Sequence, residues 1–176
     1  AVRLTAIEAT FPPSARDELR RTPIWLTERG ASASSGSSAT QGPLFHADAG
    51  SNLPLPQLAN AIEIPSITML SELLAQENPQ ALNTTLTNVL AAGYFMHLSS
   101  PPWREAEDAF HRAKTNLVTA KLGSDPLSYF SALSTEYFGR CSLPPDREAL
   151  RAADPRGVAL ITRTWLTPVR TASREP

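Results

Sequence analysis

Three histidines, one cysteine and one acidic cluster are the first side chains here to weigh for polar or metal chemistry. His46, His97 and His111 are far apart, and none lies four residues from another, so no pair shares a helical face in the way a helical metal site requires. His97 is a candidate base or ligand, and its plainer role is to meet the last carbonyls of a helix. Glu105, Glu107, Asp108 and His111 crowd one segment. At i, i+4 spacing Glu107 and His111 could share a cation, although a solvated face with Glu107–His111 and Asp108–Arg112 pairs accounts for the pattern more simply. Tyr94, Glu136 and Tyr137 could line a cleft as hydrogen-bonding groups, against the simpler reading of packed core aromatics. Ser35, Ser37 and Ser38 lack any local base and sit in a segment that offers no held geometry for a nucleophile. Cys141, being single, excludes an internal disulfide and a cysteine-built zinc site.

These residues are carried by 176 residues with 41% hydrophobic content, enough for one sizeable core. The net charge of −1 and pI near 6.4 give no electrostatic footprint for nucleic acid. The longest apolar run, Val89–Met96, is too short to span a bilayer. The first residue is Ala1 rather than Met, and Asn83-Thr84-Thr85 matches a glycosylation sequon; together they slightly favour an extracytoplasmic location.

The local patterns predict an α+β chain with strands first and helices later, read as one domain over 1–176. Val2–Thr10 alternates loosely and reads as a strand. Ser14 and Asp17 resemble a capping box, which predicts a helix over Ala15–Arg21. Strands are expected at Pro23–Glu28, Leu44–His46 and Ala59–Ile64. The Ser/Gly/Ala-rich stretch 30–42 reads as a flexible loop and 167–176 as a disordered tail. Helices are expected near 66–76, 79–98, 101–120, 126–140, 146–152 and 155–166. Four of them follow a polar residue and a proline: Asn78-Pro79, Ser100-Pro101, Asp125-Pro126 and Asp154-Pro155. In the 79–98 helix, Gly93 costs about 1 kcal/mol relative to Ala, which predicts close packing of a neighbour against it.

A set of short blocks occurs in one order: R-R-T-P-I-W-L-T (20–27), L-F-H-A-D-A (44–49), L-A-N-A-I-E-I-P (58–65), A-F-H-R-A-K (109–114), Y-F-S-A-L-S-T-E-Y-F-G-R (129–140) and D-P-R-G-V-A-L-I (154–161). With V-L-A-A-G-Y-F-M-H at 89–97, they resemble a family of zinc-metallopeptidase-like proteins related to lethal-factor-type zincins, over roughly residues 18–166. The resemblance implies a zincin-like domain, with a small mixed sheet followed by a helical half that carries the active-site helix. It also puts the family's first zinc histidine on Leu90, its catalytic glutamate on Ala91 and its second zinc histidine on Tyr94. Only a trailing histidine is matched, by His97. Two family glutamates fall on Ala132 and Thr135, and Glu136 lies one position further on.

Leu90 and Ala91 offer zinc no donor, and a tyrosine alone cannot hold it. The expectation is therefore a degenerate H-E-x-x-H, no zinc and no cofactor. The chain would be a catalytically dead peptidase homologue that binds a peptide, protein or small ligand through Leu90, Ala91, Tyr94, His97, Ala132, Thr135 and Glu136. The alternative is a metal-free enzyme in the same cleft, using Tyr94, His97 and Glu136 for acid–base work. A third possibility is a metallopeptidase whose ligands lie elsewhere.

Overall fold

A computed structural model describes residues 2–26, 44–46, 60–64, 79–116, 119–138 and 146–166. Among them are seven helices and a three-stranded mixed sheet, an α+β arrangement dominated by helix. The expected helix at 66–76, the loop at 30–42, the tail at 167–176 and Cys141 lie outside the described residues.

The N-terminal strand expected at Val2–Thr10 is instead helix α1, Val2–Glu8. Burial decides the matter. Ile7 and Phe11 are buried while Ala9, midway between them, is exposed, and strict alternation would have put all three on one face. Helix α2, Pro13–Leu19, starts two residues before the expected helix. Pro13 occupies its first turn, so Ser14 lies inside the helix and caps nothing. Its hydroxyl donates instead to the Trp165 carbonyl, 3.4 Å away. Arg16 reaches back to the Ala9 and Phe11 carbonyls, satisfying acceptors beyond the end of α1.

The sheet has the order β1-β3-β2, with β1 at Ile24–Leu26, β2 at Leu44–His46 and β3 at Ala61–Ile64. β3 runs parallel to β1 and antiparallel to β2. Phe45 and Ile62 are register partners and point toward the helices, so Glu63 and His46, one residue on, share the other face.

Helix α3, Pro79–His97, is the hub. It packs against α1, α2, β2, β3 and, most extensively, α5. Its second half, Val89–Phe95, is buried all round, as the unbroken apolar run requires. A Cβ on Gly93 would lie 3.2 Å from Thr22 Cγ2 and 3.3 Å from the Phe45 ring, so the missing side chain lets the sheet approach.

The helix expected over 101–120 is α4, Trp103–Ala113. Its start passes over both prolines, because Ser100 is not the cap and Pro102 holds that position. It ends early because Thr119 Oγ1 donates to the Ala113 carbonyl and Lys114 Nζ to the Ala120 and Gly123 carbonyls, which hold a chain reversal.

Three later helices carry aspartate caps, two of them at the predicted Asp125-Pro126 and Asp154-Pro155 starts. At α5, Pro126–Phe138, Asp125 accepts from the Ser128 N–H while Ser128 Oγ accepts from the Asp125 N–H, a reciprocal cap. At α6, Arg147–Ala153, Asp146 accepts from the Ala149 N–H, and at α7, Pro155–Leu166, Asp154 accepts from the Gly157 N–H.

Trp165 of α7 closes the core. Tyr94 stacks on it at 4.0 Å and Phe11 at 4.6 Å, Phe138 meets it edge-on, and its indole N–H donates to Ser134 Oγ. No helix among the described residues is long and apolar enough to cross a membrane.

Candidate functional site

The expected site residues fall into three separate surroundings. Leu90, Ala91 and Tyr94 lie in the core, with Ala91 and Tyr94 fully buried. Tyr94 is held by its stack on Trp165 and by its hydroxyl, which donates to the Thr164 carbonyl at 3.1 Å. Burial, with a contribution from Glu18, pushes its phenol up to about 12. It is therefore a neutral hydrogen-bond donor at physiological pH and supplies no phenolate.

His97 ends α3 one turn beyond Gly93, and so faces the sheet rather than Trp165. Its Nδ1 lies 3.4 Å from Thr22 Oγ1, and its ring meets Phe45 edge-on at 6.2 Å. Its partner is thus a hydroxyl from the turn before β1.

Ala132 and Glu136 share one side of α5 and are both half-buried. At 100° per residue they lie about 200° around the helix from Phe130 and Ser134, the residues that meet Trp165. The side chain of Thr135 is buried and its hydroxyl donates to the Ser131 carbonyl. Ser131 and Ser134 do the same to the carbonyls four residues earlier. Tyr94 and His97 thus have different partners, Trp165 and the Thr164 carbonyl for the first, Thr22 and Phe45 for the second. Tyr137 is buried against Phe138, with the Arg147 guanidinium over its ring.

The acidic segment of α4 behaves as a solvated face. Glu107 and His111 are exposed and 3.9 Å apart, too far for a hydrogen bond. Among the described residues no group of three or more His, Cys, Asp and Glu side chains could hold a metal ion. The sequon's Asn83 sits within α3 and is half-buried, and its side-chain oxygen has no hydrogen-bond partner among the described residues.

Two arrangements of titratable groups escaped the sequence reading. On the sheet face turned away from α3, His46 Nε2 lies 2.7 Å from Glu63 Oε2, and the carboxylate is fully buried. A buried carboxylate that fixes an imidazole's orientation is an acid–base arrangement in chemical principle. Only strand pairing joins these residues, which are 17 apart in sequence, and alternation along two three- or four-residue strands is too short a signal to reveal it. The second is structural. Tyr129 donates to Asp154 in a very short buried hydrogen bond beneath α7. Burial first, then the hydrogen bond and charge of Asp154, raise the Tyr129 phenol far above its usual value.

Comparison with protein-family models, curated proteins and solved structures finds no match for this chain.

Proposed function

We propose that this chain is a catalytically inactive relative of zincin-type metallopeptidases that acts by binding a peptide, protein or small ligand rather than by hydrolysis. One observation carries the reading. The three α3 positions that the resemblance assigns to metal and base, Leu90, Ala91 and Tyr94, are spent on the apolar core, and the only polar atom among their side chains is committed to the Thr164 carbonyl. H-E-x-x-H chemistry needs two imidazoles on one helical face and a carboxylate beside the metal-bound water. A leucine, an alanine and a neutral phenol stacked on tryptophan supply none of these roles. The close packing of α3 on α5, and of the sheet on Gly93, is consistent with a scaffold of that kind. Of the ligand-binding positions named from the sequence, His97, Ala132 and Glu136 are the ones that keep surface for a ligand to meet, while Leu90, Ala91, Tyr94 and Thr135 are buried.

The test is elemental analysis of protein purified without chelator, alongside cleavage of a mixed peptide library with and without a chelator. The expected result is zinc well below one equivalent and no chelator-sensitive cleavage. Stoichiometric zinc, or cleavage abolished by the chelator, refutes the reading.

A further inference from the structure

Helix α7 turns Gly157, Val158, Leu160, Ile161, Thr164 and Trp165 into the core and leaves a second pattern on its outer side. Pro155, Ala159, Thr162 and Leu166 recur at intervals of four, three and four, the spacing of a helix-packing seam. Pro155, Ala159 and Leu166 are exposed, and Leu166 keeps 51% of its surface in solvent. The Thr162 hydroxyl donates to the Val158 carbonyl, so its polar atom is turned onto the helix's own backbone. Ala159, the smallest of the four, sits in the middle. A groove of about 560 Å³ runs along this seam, with Arg151 of α6 and Arg163 on its rim. A second groove, between α4 and α7, shares Ala159 and Arg163 and adds Arg156, with Glu105 and Asp108 on its α4 side.

We infer that this seam docks an amphipathic helix of a partner protein, one whose apolar stripe is flanked by aspartate or glutamate. Charge complementarity at seam geometry selects this occupant. Arg156 and Arg163 are one heptad apart, each directly after a seam residue, in the flanking positions where charge pairs choose a helical partner. Both are exposed. Arg163 already pairs with Glu105, which holds its guanidinium in place and leaves further donors for an incoming carboxylate. From Pro155 to Leu166 the seam is about 16 Å long, or three helical turns, and it is open along its length. That shape suits a helix laid in a groove rather than an enclosed small molecule. A second copy of α7 run antiparallel fits badly, because it would set arginine against arginine. This face is separate from the α3 positions, so zinc content has no bearing on its occupancy.

Two fluorescein-labelled synthetic helices of three heptads test it, both with leucine at the seam positions, one with glutamate and one with lysine at the flanks. Fluorescence anisotropy with the whole chain should give the glutamate helix a Kd below about 100 µM. The lysine helix should bind at least about tenfold more weakly. Arg156→Glu, which leaves the Arg163–Glu105 pair intact, should weaken the glutamate helix and strengthen the lysine helix. Ala159→Gln, at an exposed position, should weaken both, with far-UV circular dichroism unchanged. A Kd above about 1 mM for the glutamate helix, equal binding of the two helices, or indifference to Arg156→Glu overturns the inference. So does a dimer in sedimentation that Ala159→Gln returns to monomer, since the occupant would then be a second copy.

Discussion

Gly157→Ala should destabilise this chain by far more than a surface glycine-to-alanine change, although alanine is the better helix former. A Cβ at 157 would lie 2.5 Å from Asp154 Oδ2 and 2.6 Å from Leu133 Cδ2, and would overlap the Tyr129 hydroxyl most of all. None of these groups can swing into solvent, because Tyr129 and Leu133 are fully buried and Asp154 is fixed by the Gly157 N–H. Forcing a methyl into packed core costs about 1–3 kcal/mol. Displacing the Tyr129–Asp154 hydrogen bond, whose acceptor is a carboxylate, costs about 1.5–3 kcal/mol more. The gain in helix propensity returns about 1 kcal/mol. The balance is a loss of about 3 kcal/mol, which for a chain of this length lowers Tm by about 6–12 °C. Tyr129→Phe removes the most crowded atom, so Gly157→Ala should cost about 1–2 kcal/mol less in that background. Urea denaturation of the four proteins of the cycle measures both numbers. Gly157→Ala at or above parental stability, or strict additivity with Tyr129→Phe, would show that the approach of α7 to α5 is not set by this contact.

Two further changes probe the caps and the core. Partial burial raises the Asp125 carboxyl, but hydrogen bonds from the Ser128 N–H and hydroxyl, the Ser124 hydroxyl and the Leu127 N–H outweigh it and leave the group below its ordinary value of 3.8. Its contribution is therefore present above that value and is lost as pH falls through the folded one. Asp125→Ala should cost about 1 kcal/mol at pH 7, and the gap to the parent should narrow at acid pH; denaturation at both pH values would disprove this if the gap stayed constant. Tyr94→Phe keeps the stack on Trp165 and loses the bond to the Thr164 carbonyl, for about 1 kcal/mol. Because the folded phenol titrates at about 12 rather than 10.0, its contribution is intact below 10.0 and lost as pH climbs toward 12. The parent should thus weaken more steeply than Tyr94→Phe in alkaline denaturation, and parallel profiles would count against a buried neutral Tyr94.

Local chemistry alone determined several elements. Asp125-Pro126 and Asp154-Pro155 announced helix starts, because a carboxylate that satisfies a free N–H and a proline with none to satisfy act within four residues. The apolar run Val89–Met96 announced a helix buried on all sides, and Gly93 announced the contact that Thr22 and Phe45 make. What failed lay at distances the local pattern does not encode. Val2–Thr10 looked alternating, yet Val2–Glu8 is helical, with Ile7 in the core and Phe11 just beyond it stacked on Trp165, far along the chain. The candidate site was legible as residue types but not as an arrangement. Neighbouring positions on α3 aim at different partners, so Gly93 and His97 turned to the sheet while Tyr94 turned to Trp165. The His46–Glu63 pair and the Tyr129–Asp154 bond each join residues at least 17 apart, and only the folding of strands and helices onto one another brings such groups within hydrogen-bond reach.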